Sequence, residues 1–143
     1  MAISNNEALS NILQANWSSA GTGLTLGDIE WSTSHIDIKK WRANKAAPKP
    51  IITVYCGKNP STKILYPGAW RDDDELIIEV LVKGDTFANL KQTRNNLVDQ
   101  ISAILKANAN TTQNFFIKPK RSNANEVFDC ARQVMTVTVS RLL

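Results

Sequence analysis

An α+β fold, with a mixed, mainly antiparallel sheet of about four strands and helices packed on one face, is predicted by three stretches of this sequence. From Glu75 to Lys83 apolar residues alternate, and Gly84-Asp85-Thr86 then leads directly into a long amphipathic helix ending near Lys106. Lys49 to Cys56 reads as another strand. Gln133 to Leu142 reads as the last one, with Met135, Val137 and Val139 facing one way and Thr136, Thr138 and Ser140 the other.

At the amino end, Ser4-x-x-Glu7 has the form of a capping box, in which the Ser4 hydroxyl accepts from the Glu7 amide and the Glu7 carboxylate from the Ser4 amide. A helix is expected to start there and to present Leu9, Ile12 and Leu13, with Ala8 and Trp17 near the same face. Ser18 to Gly23 ends it, because two glycines among small polar residues do not sustain helical packing. From Leu24 to Pro48 the pattern is weak and holds at most short strands. Ile51 to Cys56 is β-branched and aromatic, and is bracketed by Pro50 and Gly57; a proline at strand entry is tolerated. Residues 57–74 contain Pro60, Pro67 and Gly68 and show no period, so they read as a connection of about eighteen residues where about 4 to 6 is usual.

The strand that follows places Leu76, Ile78, Val80 and Val82 on one face and Glu75, Ile77, Glu79, Leu81 and Lys83 on the other. One apolar and one mixed face is the pattern of a sheet covered by helices on one side. Asp85 or Thr86 caps the next helix, whose stripe runs through Phe87, Leu90, Leu97, Val98, Ile101, Ile104 and Leu105. Arg94 interrupts that stripe. Either its methylenes cover apolar surface while the guanidinium reaches water, or it pairs with a carboxylate at a subunit boundary. Phe115-Phe116-Ile117 is expected to form a short strand that Pro119 ends.

A chain of 143 residues is read as one domain, 1–143, with long loop excursions at about 24–49 and 57–74. Its N-terminus lacks a basic start followed by an apolar core, and no apolar run approaches the ~20 residues of a bilayer crossing. The expectation is a soluble, unprocessed protein made inside the cell, without membrane contact. Cys56 and Cys130 are expected to be two buried thiols, and whether they pair is left open. The net charge of +4 permits nucleic-acid contact without demanding it, and the basic residues cluster only at Lys39 to Arg42 and Lys118 to Arg121.

No motif for catalysis or cofactor binding is present. The single histidine, His35, has no second histidine to share a metal or to serve a catalytic triad. No glycine-rich phosphate cradle follows a strand. No catalytic residue, metal or cofactor is therefore predicted. The acidic run Asp72-Asp73-Asp74-Glu75, with Glu79 and Lys83, invites a magnesium-dependent nuclease reading. Adjacent acids in a loop point in different directions, however, and a solvated charged strand entrance fits the run better.

Three tryptophans, Trp31, Trp41 and Trp70, fall in the two irregular segments. Large aromatics on loops mark binding surfaces, and Trp41-Arg42 and Trp70-Arg71 pair the two residue types that most often anchor protein interfaces. The alternative, that these loops fold back and bury their tryptophans on the same domain, stays open.

The order of parts resembles the tail terminator, or tail completion, proteins of tailed bacteriophages, prophages and archaeal tailed viruses. The residues that carry the resemblance are the N-terminal helix around Leu9 to Leu13, Pro50-Ile51-Ile52-Thr53-Val54 and Glu75-Leu76-Ile77-Ile78-Glu79-Val80. It continues through Ile101-Ser102-Ala103-Ile104-Leu105 and Val134-Met135-Thr136-Val137-Thr138-Val139. The resemblance implies a tail-terminator-like fold and a non-enzymatic virion assembly protein at the head-proximal end of the tail. It also implies a hexameric ring that meets tail tube protein and head or neck connector proteins, with DNA passing through it without specific binding. The expected contact residues are Trp31, Trp41, Arg42, Trp70, Arg71, Asp72, Asp73, Asp74 and Arg94. Two other readings stand beside it: a small basic nucleic-acid-binding module, and the magnesium-dependent nuclease.

Overall fold

The apolar alternation of residues 76–82 becomes the middle of the sheet's central strand. In a computed structural model, which describes residues 4–36, 49–57, 61–66, 69–83, 87–109, 115–127 and 130–142, six strands and two α-helices follow one another. They are α1 (Asn5–Ala15), a 3₁₀ turn (Leu26–Asp28), β1 (Glu30–Ser32), β2 (Ile51–Cys56), β3 (Ser61–Tyr66) and β4 (Ala69–Lys83). Then come α2 (Phe87–Ala107), β5 (Phe115–Val127) and β6 (Cys130–Leu142). The strands lie in the order β1-β2-β4-β6-β5, with β3 added to β4 beside β2's place on the same side. Only β1 and β2 are parallel, so the sheet is mixed and mainly antiparallel as expected, with six strands rather than about four.

The extra strands come from segments read as irregular. Residues 57–74 are not a loop: β3 pairs with the first part of β4, from Ser61 opposite Asp73 to Tyr66 opposite Ala69. The two strands are antiparallel neighbours, and the breaker pair Pro67-Gly68 falls between them in the sequence. Asp72, Asp73 and Asp74 sit inside β4 opposite Arg141, Ser140 and Val139 of β6. Gly57, between β2 and β3, lies so close to β4 that a β-carbon there would meet Ile77 Cδ1 at 2.9 Å.

Strand β5 also outruns its expected end at Pro119. It is an edge strand, where a missing amide costs no ladder bond. A register shift between Pro119 and Arg121 absorbs the proline as a β-bulge.

Both helices cover one face. Leu9 and Leu13 of α1 and Leu90, Leu97, Ile101, Ile104 and Leu105 of α2 pack on Ile52, Val54, Leu76, Ile78, Val80, Val137 and Val139. Arg94 is buried with them, and its Nε and Nη2 donate to Asn95 Oδ1 at 3.3 and 3.2 Å. The expected escape of its guanidinium to water does not occur.

Helix α1 begins where expected, but not through the expected box. Ser4 occupies the N-cap position with extended backbone, and its side chain makes no capping bond. The reciprocal arrangement occurs instead at Thr25 and Asp28, where the Thr25 amide donates to the Asp28 carboxylate at 2.9 Å. These contacts hold the Asp28 carboxyl below its usual range. Among the described residues no helix is long and apolar enough to cross a membrane.

Candidate functional site

Strand alternation sorts the acidic run on β4 between two surfaces. Asp74 shares the helix-covered face with Leu76 and Ile78, and its Oδ2 accepts from Asn5 Nδ2 at 2.5 Å, at the first turn of α1. Asp73 faces the opposite way, where its Oδ1 accepts from Ser140 Oγ at 2.7 Å. Glu75 lies on that second face too and binds Lys120 Nζ at 3.0 Å. Asp72 is known by its backbone register, between Thr62 of β3 and Arg141 of β6.

The helix-free face holds a second polar group near its middle. Glu79 is fully buried there. Arg132 Nε donates to its Oε1 at 2.6 Å, and the Tyr55 hydroxyl donates to its Oε2 at 3.0 Å. Burial, and after it the charge of Glu79, pushes the Tyr55 phenol up to about 12. The His35 ring meets Tyr55 edge-on at 5.2 Å, and Thr53 Oγ1 donates to the Ser34 carbonyl at 2.5 Å. Ile36 packs beside Ile51, Leu81 and Cys130. Residues 34–36 thus lie over this part of the sheet.

This geometry bears on the nuclease reading. Asp74 and Glu79, two of the carboxylates it would draw on, are five positions apart on β4 and face opposite sides of the sheet. They do not converge on one ion. Among the described residues, no group of three or more His, Cys, Asp or Glu side chains is placed to hold a metal.

Trp31 folds back onto its own domain. It meets Trp17 edge-on at 5.4 Å, and its Nε1 donates to the Leu26 carbonyl at 3.3 Å. Its outer side helps line a polar groove of about 470 Å³ between α1 and β1, with Glu7, Ser10, Asn11, Gln14 and Thr33. Trp41 and Arg42 lie outside the described residues. Trp70 and Arg71 stand opposite Ile64 and Lys63 of β3, in the hairpin. Arg94 is buried on the helix-covered side. Among those whose side chains are described, Asp73 and Asp74 face opposite sides of the sheet and Arg94 lies in the core, so these three do not share one surface. Cys56 is exposed and Cys130 buried, at opposite ends of β4's pairing with β2 and β6, and neither is in a disulfide.

Sequence reasoning missed the Tyr55–Glu79–Arg132 group as a unit. The signal was a lone acid in the apolar run from Leu76 to Val82, since a buried carboxylate demands partners.

No protein-family model and no curated protein matches the chain. Among solved structures, it is similar to a chain in the virion of a native gene transfer agent (GTA) particle. The TM-score is 0.60 at 12% identity, over 97% of this chain and 95% of that one. At that identity the likeness shows a shared fold.

Proposed function

We propose that this protein is a non-enzymatic structural and assembly protein of a tailed virus or related particle, acting as a ring-forming tail terminator or tail completion subunit at the head-tail junction. The observation that carries this reading is the likeness in fold to a virion chain, over 97% of this chain and 95% of that one. The series of elements from Leu9 to Val139 that resembles tail terminators supports it independently.

A ring subunit repeats one heterologous contact until the circle closes. The β3–β4 hairpin offers such a contact. Ala69 and Trp70 lie beyond the last β4–β6 partners, Arg71 and Leu142, and so extend past the body of the sheet. Trp70, Arg71 and Asp72 are proposed to meet a neighbouring subunit or the tail tube, with Trp31, Trp41 and Arg42 as further contacts. Asp73 and Asp74, which continue β4 from that hairpin and bind Ser140 and Asn5, and Arg94 of α2 complete the proposed contact residues.

Light scattering coupled to size exclusion, followed by electron microscopy with and without the cognate tail tube protein, tests the proposal. Closed rings, or caps on tube ends, are expected, and Trp70→Ala with Arg71→Ala should disperse them into folded monomers. A strict monomer that also ignores the tube would refute it.

A further inference from the structure

We infer that the helix-free side of β5 is a contact surface for the sugar-phosphate backbone of duplex DNA. The bulge at Pro119 creates it. In unbroken alternation Lys118 and Lys120 would share one face and Arg121 would turn to the other. In the structure Lys118 stands opposite Thr138, and Arg121 stands opposite Thr136. Both threonines alternate with Met135, Val137 and Val139 of the core, so both cations lie on the helix-free face. Lys120, the inserted residue, reaches the same face, because it binds Glu75 there. Re-aiming side chains is a recurrent use of bulges.

The resulting row is exposed and positive. Lys118, Lys120, Arg121 and Asn123 are all exposed. Glu75 occupies one cation, while Lys118 and Arg121 make no ion pair among the described residues. Lys118, Arg121 and the Asn123 amide can each donate to phosphate oxygens, and contacts of this kind fix a protein on DNA without reading sequence. Stacking on single strands needs successive aromatic platforms, whereas Phe116 is the sole aromatic of β5 on this face among the residues whose side chains are described. Duplex is therefore the form the surface fits. The cations also keep this edge from pairing with another strand, and that protection requires no particular face. Their collection on one side is what the polyanion explains.

The test is fluorescence anisotropy of a labelled mixed-sequence duplex with the full chain. The two cation–phosphate contacts of Lys118 and Arg121 should weaken binding by roughly 12-fold between about 50 and 200 mM salt, the neutral Asn123 amide adding nothing to the salt dependence. Lys118→Ala with Arg121→Ala should lower low-salt affinity by at least about 10-fold and flatten the salt dependence. Lys106→Ala, on exposed α2 surface, should leave both unchanged. Circular dichroism checks that the double variant folds. Absence of low-salt binding, an unaffected double variant, tighter binding of single strand than duplex, or equally effective competition by polyglutamate would each overturn the inference. None of these outcomes depends on ring formation, which scattering and microscopy read separately.

Discussion

Arg132 Nε donates to Glu79 Oε1 at 2.6 Å, binding the centre of β4 to β6 from a site where the carboxylate has no exposure at all. The contact is diagonal, since the register puts Arg132 opposite Leu81 and Glu79 opposite Val134. Tyr55 completes the carboxylate's coordination from β2. One acid thus ties three neighbouring strands together on the face the helices do not cover.

Removing one partner of a buried pair strands the other charge, and Arg132 itself keeps 25% of its side-chain surface in water. Arg132→Ala should therefore destabilise the fold by about 3 kcal/mol, the low end for such losses. Adding Glu79→Gln should recover part of it, because the amide tolerates burial and still accepts from Tyr55. Urea midpoints at constant slope give the values. An Arg132→Ala midpoint equal to that of the unmodified protein would show that the pair contributes nothing.

The start of α1 is held by Asp74 of β4 and not by the Ser4 hydroxyl. Asp74 receives the Asn5 amide at the helix N-terminus, where negative charge is favoured, so Asp74→Ala should cost about 1 to 2 kcal/mol. Ser4→Ala should stay within about 0.5 kcal/mol, since its hydroxyl makes no cap. The reverse order in thermal or urea unfolding would restore the Ser4-x-x-Glu7 box as the helix start.

The thiols should behave oppositely. Cys56 lies at the exposed end of β2, and Cys130 is 2% exposed at the start of β6. A thiol reagent under native conditions should modify Cys56 promptly and Cys130 only after denaturation. Mass mapping of the labelled residues checks this. Prompt labelling of Cys130 would mean that the β4–β6 end opens far more readily than its packing implies.

Local pattern carried the centre of this fold and lost its periphery. The strand at Ile51 to Cys56, the apolar face from Leu76 to Val82 and the stripe from Leu90 to Leu105 were legible because each is a strong period over several residues. Asp72 to Asp74 was not legible as strand, because aspartate disfavours strands and only pairing overrides that preference, with β6 along the whole run and with β3 at Asp72 and Asp73. Pro119 likewise concealed the length of β5, since edge position is a property of the whole sheet. The same limit applied to the candidate site. Trp31 gave no sign of Trp17 as its partner, and Glu79 gave none of Arg132, which lies 53 residues onward.

Tyr55 makes the helix-free cluster measurable by pH. Its folded value of about 12 exceeds the ordinary value of 10.0, so its contribution to stability is fully present below pH 10 and is lost as pH rises through about 12. The reason is that the unfolded phenol ionises first, while burial and Glu79 hold the folded one protonated. Tyr55→Phe removes this titration and the bond to Glu79 together. The stability advantage of the unmodified protein over Tyr55→Phe should therefore be constant up to pH 10 and shrink steadily toward pH 12. Ultraviolet difference titration offers a direct check, because the chain has only two tyrosines and the Tyr66→Phe variant isolates the signal of Tyr55. A tyrosinate midpoint near 10 in that variant would show that Glu79 and its surroundings do not enclose the phenol in solution.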